Sequence, residues 1–531
     1  MDFAVRGSKS VHMSGEQMTL PGLFGDGLDP RNRWLRLSQL IPWDEIETCY
    51  GSQFDSARGG PHALPARVAF GSLIIKERLG LTDIETVEMI QENPYLQIFL
   101  GYGCFSSRRP FDPSLMVHFR KRFSLEELQS INELLTEGSA LSEVKDENNS
   151  PPPPDSGINA STPDESTGSP SSEDPPPPSG TLMMDATCIP ADVAYPTDVN
   201  LLNHAREWSE RLIDRLHEPH IGTHPKPRTY RHKARKDYLK VAKAKSLSRK
   251  RARKAFRKQL CYLRRNLGYI QTHVEQGLWR LSELPNNWYK TLLVLSEILR
   301  QQSELHAQKS HQIADRIVSI EQPHVRPIYR GKAGRKYEFG GKVSVVLDKG
   351  FAYLETVSWD AFNEAGDLIA HAANYHRRHG HYPERILADK IYRTKANRSW
   401  CKERGIRLAG VGPGRPPKDP AKRQERERES AQDDADRQPM EGVFGVTKRR
   451  YGLKRILTRL PSTSATTIAM VMIILNLEKI ILRLFLTDRH WFTDWNGITM
   501  RWRLEAMEIH HQLKTHLRTG GWWHRYPNRA I

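Results

Sequence analysis

One stretch of the chain cannot contribute to a hydrophobic core. Residues 145–180 contain two runs of four prolines among serines, aspartates and glutamates. Proline has no backbone N–H to donate and apolar side chains are scarce here, so neither a long helix nor a buried strand is expected. This composition is typical of a semi-extended acidic linker. We therefore predict an N-terminal domain over residues 1–140, a disordered linker over 141–180, and a larger domain after it.

The charge balance indicates a polyanionic partner. The 531 residues include 80 Lys and Arg against 62 Asp and Glu, a formal net charge of +18, and we predict nucleic acid as the partner. Five cysteines without zinc-knuckle spacing, and a first segment without an apolar signal core, favour a reducing, cytoplasmic location. The longest apolar run, Ile468–Leu486, contains Asn476, Glu478, Lys479 and Arg483. It predicts a buried or amphipathic helix and no membrane span.

The N-terminal domain is predicted to be all-helical. Ala66–Leu79 has apolar residues at helical spacing before Gly80, and Thr82 with Glu85 forms a capping-box pattern for the next helix. A further helix, in Pro113–Phe123, ends in a basic triplet. A helix-turn-helix-like DNA-binding domain and an ordinary helical bundle both fit this pattern. If the domain binds DNA, Arg120, Lys121 and Arg122 are candidate DNA contacts.

A basic helical segment interrupts the strands of the larger domain. Residues from about 200 to 325 are mostly helical in pattern, with a break expected near Pro285, and residues 226–258 are about half Lys or Arg. A solvated charged face normally mixes signs, whereas this run contains only Asp237 as an acid. We therefore favour a grip on the DNA backbone. The residues predicted to contact DNA are Arg228, Arg231, Lys233, Arg235, Lys236, Arg251 and Arg253.

Three acidic residues occupy the kinds of positions that a metal-dependent nuclease uses. Asp185 ends the apolar run Thr181–Asp185, Asp389 ends Arg385–Asp389, and Glu441 opens a helical stretch. Carboxylate oxygens suit Mg²⁺, and two such ions can clamp the attacking and leaving oxygens of a phosphodiester. An aspartate at a strand end is more often a turn or cap residue, and Asp192 and Asp198 are neighbouring alternatives to the first acid.

The order of elements after the linker predicts an α/β domain with an RNase H-like catalytic core over residues 181–490. Without the helical insertion, the order is strand, hairpin, helix, strand, helix, strand, helices. The turn of the hairpin is expected at Lys349-Gly350, and residues 412–436 are expected to form a flexible loop. The predicted elements are strands Lys336–Leu347, Phe351–Val357, Arg385–Ala388 and Ile406–Val411, and helices Phe362–Arg377, Thr394–Arg404, Arg437–Arg449 and Thr463–Leu486.

Three sequence blocks carry a resemblance to a known family. They are Met184-Asp-Ala-Thr187 with Tyr195–Leu202, Leu387-Ala-Asp-Lys-Ile-Tyr-Arg393 with Cys401–Ile406, and the Arg-x₃-Glu-x₆-Lys pattern of Arg437, Glu441 and Lys448. In these blocks the chain resembles the DDE transposases of bacterial insertion sequences, in the group with a basic helical insertion after the first catalytic strand. Residues 60–125 are similar to the N-terminal domain of that family. A Tyr often found three residues before the signature Arg is Asp434 here.

The resemblance implies a function and a set of site residues. Asp185, Asp389 and Glu441 would hold two Mg²⁺, with Mn²⁺ as a possible substitute, and Arg437, Lys448, Lys390 and Arg393 would contact DNA. A homodimer would bind the terminal inverted repeats in double-stranded DNA of the bacterial nucleoid, cleave strands, and join 3′-OH ends to target DNA. Helical spacing places Arg437, Glu441 and Lys448 on one face.

Two alternative functions and one unassigned segment remain at this point. The chain could be a catalytically inactive descendant that only binds DNA, or an RNase H-like nuclease without strand transfer. In the C-terminal tail, residues 491–531, five tryptophans lie among Arg and His. These indicate a small apolar cluster or a stacking surface, of which we favour the cluster.

Overall fold

The computed structural model describes residues 28–51, 63–147, 177–310, 312–329, 337–410 and 419–487. The chain divides into two compact units, Met1–Asn476 and Leu477–Ile531. The fold described below is that of the first unit; the second enters only with the end of the last helix. Most of the predicted linker and the whole tryptophan-rich tail lie outside the described residues.

Helices form all the described regular structure before the linker. Thr82 Oγ1 accepts the Glu85 N–H while the Glu85 carboxylate accepts the Thr82 N–H, so the predicted capping box is confirmed. The predicted helix Ala66–Leu79 is also confirmed, and Gly80 ends it in the left-handed conformation. The helices are α1 (Arg33–Leu40), α2 (Trp43–Gly51), α3 (Ala66–Leu79), α4 (Asp83–Glu92), α5 (Pro94–Phe99), α6 (Leu115–Arg122) and α7 (Leu125–Glu147).

A mixed six-stranded sheet forms the centre of the larger domain, which confirms the predicted α/β class. Its strands are β1 (Thr181–Pro190), β2 (Arg326–Tyr329), β3 (Tyr337–Asp348), β4 (Phe351–Ser358), β5 (Arg385–Ala388) and β6 (Arg407–Leu408). β1 pairs antiparallel with β3 and parallel with β5. β3 also pairs antiparallel with β2 and β4, and β5 pairs parallel with β6.

The central strand β1 is longer than the sequence predicted. Asp185 lies in the middle of β1 and not at its end, because pairing with β3 continues to Pro190 opposite Gly340. A Cβ at Gly340 would lie 2.0 Å from the Ile189 carbonyl oxygen, so this close pairing requires glycine. The β3–β4 hairpin confirms its predicted turn: Lys349 and Gly350 both have positive φ, as a tight hairpin requires.

The two faces of β1 have different surroundings. Leu182 and Met184 point into an apolar core that includes Tyr375 of helix α12 (Leu368–His379) and Cys401 of helix α13 (Lys395–Glu403). Because side chains alternate along a strand, Asp185 and Thr187 are directed to the opposite face. The acidic residue is therefore turned away from the apolar core.

The insertion between β1 and β2 is a helical bundle. Its helices are α8 (Asp198–His217), α9 (Arg231–Ala242), α10 (Arg249–Glu275) and α11 (Asn286–Gln308). Leucine and isoleucine residues of α8, α10 and α11 share one buried core. The predicted break is confirmed, since Pro285 immediately precedes α11.

The predicted flexible loop over residues 412–436 is wrong for most of its length. Helix α14 spans Pro420–Asp436. Asp433, which is buried, accepts hydrogen bonds from Arg407 at 2.9 Å and from the Gly410 N–H at 3.1 Å. Asp436 pairs with Arg385 at 2.8 Å. These ion pairs to the sheet edge stabilise a charged segment that has little apolar surface of its own.

Two further helices complete the described chain. They are α15 (Gln438–Arg449) and α16 (Pro461–Thr487). The segment Pro461–Leu484 is long and apolar enough to cross a membrane, but 72% of its most apolar window is buried inside the protein. The prediction of a buried helix is therefore confirmed.

The N-terminal helices pack directly on the sheet. The Gln129 side chain of α7 donates to the Leu354 carbonyl at 2.6 Å, and Asn132 donates to the Ala352 carbonyl at 3.0 Å. These amides satisfy carbonyl groups of β4 on the side away from β3. An open sheet edge is thereby covered, which removes a site for unwanted strand pairing.

Candidate active site

The first two predicted acids lie on neighbouring parallel strands. β1 and β5 are in register with Met184 opposite Ala388, so Asp185 and Asp389 are the next residues on each strand. Neighbouring strands are about 4.8 Å apart. Asp389 is exposed, and its Oδ1 accepts the Lys390 N–H at 2.7 Å. Two carboxylates therefore converge at one point of the sheet.

Asp185 is in an unusual electrostatic environment. Its side chain is 22% exposed, and Oδ1 accepts the Ala186 N–H at 2.8 Å. Burial raises the pKa of Asp185 to about 6, with smaller upward contributions from the negative charges of Asp389 and Glu364. The Ala186 N–H and the Arg437 cation oppose this shift only in part. A carboxylate in this position is stabilised by any cation that binds beside it.

Arg437 connects Asp185 to the third acid. Its Nη1 lies 3.6 Å from Asp185 Oδ2, and its Nη2 lies 4.0 Å from Glu441 Oε1. Arg437 immediately precedes α15, and Glu441 is in the first turn of that helix. One guanidinium therefore faces both carboxylates, and the three predicted acids are brought to the same region.

The last residue of the sequence signature also reaches β1. Lys448 Nζ donates to Thr187 Oγ1 at 2.8 Å. Thr187 is buried and lies two residues after Asp185, on the same face of the strand. Helix α15 is consequently held along β1 near both of its ends, by Arg437 and by Lys448.

Two residues of this region were not predicted from the sequence. Thr187 belongs to the Met184–Thr187 block, and strand alternation could have identified it as a neighbour of Asp185. Glu364, which pairs with Lys342 at 3.3 Å, follows β4 in a short 3₁₀ turn. No signal in the sequence relates Glu364 to Asp185, because only the folded sheet brings them together.

The alternative acids have other partners. Asp192 pairs with Arg455, and Asp198 pairs with Arg316 at 2.7 Å. Both negative charges are compensated by arginines. Asp185 is less closely paired, since its nearest arginine nitrogen, Arg437 Nη1, lies 3.6 Å away.

The residues present fit a divalent metal of the Mg²⁺ type. Within the described part of the chain, no three His, Cys, Asp or Glu side chains lie close enough together to hold one ion. Mg²⁺ keeps several water ligands and therefore needs few protein carboxylates. The donors are all carboxylate oxygens, and the raised pKa of Asp185 marks a place where a cation is favourable.

Lys390 and Arg393, the two predicted DNA contacts next to Asp389, have different surroundings. Lys390 is exposed. The Arg393 guanidinium packs onto Gly410, where an added Cβ would lie 2.0 Å from Arg393 Cζ. Its Nη2 also donates to the Ala388 carbonyl at 3.4 Å. Arg393 thus supports the loop around Asp389, and Lys390 is the better placed of the two to contact DNA.

Most predicted basic residues of the insertion are on its surface. Arg231 is half-buried and differs from the others because it forms a two-bond ion pair with Asp214, at 2.7 and 3.2 Å. The exposed residues of the predicted set are Arg228, Lys233, Arg235, Lys236, Arg251 and Arg253.

The prediction that the basic triplet Arg120–Arg122 contacts DNA is wrong for Arg120. Arg120 is 4% exposed and donates to both carboxylate oxygens of Asp83, at 2.8 and 2.6 Å. This partly buried ion pair fixes α6 against α4, so the buried Arg120 is not available to DNA. Arg122 donates to the Tyr50 hydroxyl at 2.7 Å, and Lys121 is exposed.

Comparisons with known proteins find two transposase domains in the chain. A family model described as Transposase DDE domain matches residues 386–478, which include Asp389 and Glu441. A second, described as Transposase domain (DUF772), matches residues 24–122. The chain is 36% identical over 130 residues, 23% of its length, to the uncharacterized protein ORF8 in the nfe locus of Rhizobium meliloti. The match spans 62% of that relative, and no solved structure matches. Both matching models describe transposase domains, which confirms the resemblance predicted from the sequence and supports an insertion-sequence DDE transposase.

Proposed function

We propose that this transposase binds the terminal inverted repeats of its element, cleaves DNA strands, and transfers the resulting 3′-OH ends to target DNA. The observation that carries the proposal is the position of Arg437 between Asp185 and Glu441. Asp185 lies on β1, whose parallel neighbour β5 ends at Ala388, immediately before Asp389. Three acids that are distant in the sequence thus meet where a scissile phosphate could be held.

The sheet topology supports an RNase H-like core. The strand order is β2-β3-β1-β5-β6, and β4 also pairs with β3, so antiparallel pairs lie on one side of β1 and parallel pairs on the other. The first acid lies on the central strand, the second follows its parallel neighbour, and the third lies on a later helix. This is the arrangement expected of such a core from the order of elements in the sequence.

The protein side chains have distinct roles in this proposal. Asp185, Asp389 and Glu441 would hold the two Mg²⁺. When bound, these ions would supply the electrophilic activation of the scissile phosphate and of the attacking oxygen. Arg437 and Lys448, which line β1 on either side of Glu441, neutralise phosphate charge. In such a reaction, positioning and charge neutralisation provide most of the catalysis.

The proposed DNA-binding surface extends over the insertion and the N-terminal domain. The insertion supplies the exposed lysines and arginines of residues 228–253, and α6 supplies Lys121. We propose that two copies of the chain act on the paired ends of the element as a homodimer. Contacts to phosphates would position the DNA, while base contacts would select the inverted repeats.

Cleavage of labelled DNA that carries the ends of the element tests the catalytic assignment. Asp185→Ala, Asp389→Ala and Glu441→Ala should bind this DNA but should not nick it in the presence of Mg²⁺. Asp434→Ala is the matched control, because Asp434 is an exposed acid on the neighbouring helix and should be dispensable. Cleavage by any of the three variants would show that the corresponding acid is misassigned, and Asp192 and Asp198 would be tested next.

The same experiment separates the two alternative functions. A wild-type protein that binds end DNA without ever cutting it would be an inactive descendant. A protein that cuts but never joins 3′ ends to new DNA would be a nuclease without strand transfer. Products in which end DNA is covalently linked to a target plasmid would support the transposase.

A further inference from the structure

Tyr230 has an unusual backbone conformation at the start of helix α9. Its φ and ψ are 55° and 29°, in the left-handed region. Non-glycine residues are uncommon there and persist only where surrounding contacts hold them. The side chain is 39% exposed, so the conformation does not serve to bury the ring.

Two arginines flank the exposed ring. The guanidinium carbon of Arg228 lies 4.9 Å from the ring centroid of Tyr230, and that of Arg265 lies 4.7 Å from it. Both are within the range of a cation–π interaction. We call the side chains of Arg228, Tyr230 and Arg265 the Tyr230 stack.

Asp214 on α8 holds the loop that carries Tyr230. It pairs with Lys226 at 2.5 Å on one side and with Arg231 at 2.7 Å on the other. Thr229, between them, is buried, and its Oγ1 accepts from Arg231 Nε at 3.4 Å. The loop is therefore anchored before and after Tyr230, which maintains its left-handed backbone.

Arg265 is positioned by a second aromatic ring. Its guanidinium carbon is 5.1 Å from the centroid of Tyr262, and its Nε is buried without a hydrogen-bond partner among the described residues. Asp237 is bound to Lys258 at 3.0 Å and to the Tyr262 hydroxyl at 3.1 Å. The carboxylates of Asp214 and Asp237 thus contact lysine, arginine or tyrosine side chains outside the stack.

We propose that the Tyr230 stack is a preformed anchor for the phosphate backbone of DNA, in which Tyr230 is a positioning residue and Arg228 and Arg265 are the contacts. This inference rests on the proposed function and adds Tyr230 and Arg265 to the DNA-binding surface. Guanidinium groups bind phosphate oxygens through several N–H donors. Because the ring already holds both long side chains, less conformational entropy is lost when DNA binds.

The number of phosphates contacted can be measured from the salt dependence of binding. The full-length protein is titrated with end DNA without divalent metal, so that cleavage is prevented, at several salt concentrations. Arg228→Gln and Arg265→Gln should each make the plot of log Kobs against log salt shallower by about 0.9. Arg211→Gln is the matched control, because exposed Arg211 also stacks on a ring of the insertion, Trp208, at 4.9 Å. It should leave the slope unchanged.

Variants of Tyr230 test its positioning role. Tyr230→Phe keeps the ring and should bind DNA like the wild type. Tyr230→Gly removes the ring but suits the left-handed backbone, so the loop should remain folded. It should weaken binding about two- to tenfold at fixed salt, the cost of ordering a long side chain, with little change in slope. Tyr230→Leu should weaken binding similarly, and its thermal unfolding shows whether the loop is also strained.

The outcomes distinguish this inference from the proposed function. Unchanged slopes for Arg228→Gln and Arg265→Gln, with wild-type binding to end DNA intact, would overturn the anchor alone. Wild-type affinity of Tyr230→Gly would overturn the positioning role. Failure of the wild-type protein to bind end DNA would instead overturn the proposed function.

Discussion

Replacing Asp185 with Asn should make the metal-free protein more stable while it abolishes cleavage. The pKa of Asp185 is about 6 in the folded protein, against an ordinary value of 3.8. The folded protein therefore holds this proton more tightly than the unfolded chain does. Stability consequently falls as the pH rises from about 4 through about 6, and it stays low above that range.

The size of the effect follows from the two pKa values. Their difference, at about 1.36 kcal/mol per pH unit, corresponds to about 3 kcal/mol at pH 7. The same linkage leaves about 2 kcal/mol at pH 5 and less than about 1 kcal/mol at pH 4. Asn has nearly the same shape as Asp, carries no charge, and its Oδ1 can still accept the Ala186 N–H. Asp185→Asn should therefore gain up to these amounts of unfolding free energy.

Urea unfolding with EDTA, at pH 7, 5 and 4, measures this difference. The wild type and Asp185→Asn are compared at equal m-values, so that a shift in midpoint reports stability. Asp389→Asn is the control, since Asp389 is exposed and Asn can also accept the Lys390 N–H; its change should be within about 0.5 kcal/mol. Excess Mg²⁺ should stabilise the wild type and not Asp185→Asn.

Two results would refute the reasoning. In one, Asp185→Asn is less stable than the wild type at pH 7 in EDTA, which would mean that the negative charge of Asp185 is already compensated. In the other, the gain does not shrink between pH 7 and pH 4, which would mean that its origin is not the titration of Asp185.

Further predictions concern the N-terminal domain and its packing on the sheet. Arg120→Gln should lower the unfolding free energy by about 3–5 kcal/mol, because it leaves the partly buried Asp83 without its partner; the Asp83→Asn/Arg120→Gln double variant should recover part of this in the same denaturation assay. Lys121→Gln should leave stability unchanged but reduce the salt dependence of DNA binding, and the opposite pattern would place Arg120 on the DNA. Asn476→Leu should cost about 2–6 kcal/mol, since it leaves the Ala352 N–H and the Asn132 side-chain oxygen without a partner. Thermal unfolding checks this, and a loss below 1 kcal/mol would show that the buried network is not stabilising.

Several features of the protein follow from the sequence because they depend on residues that are close together in the chain. The capping box of Thr82 and Glu85, the hairpin turn at Lys349-Gly350 and the break before α11 at Pro285 are of this kind. Each depends on a local backbone preference or a hydrogen bond over a few residues. The buried character of α16 likewise follows from its own apolar composition.

Other features were decided only by contacts between distant parts of the chain. The helicity of α14 depends on Asp433 reaching Arg407, and the burial of Arg120 depends on Asp83, 37 residues earlier. The contact of Lys448 with Thr187 spans 261 residues. The acids and bases of the proposed site were predicted from the sequence, by their residue types and spacing. Only the tertiary structure places Arg437 between Asp185 and Glu441, because the pairing of β1 with β5 and the packing of α15 bring these segments together.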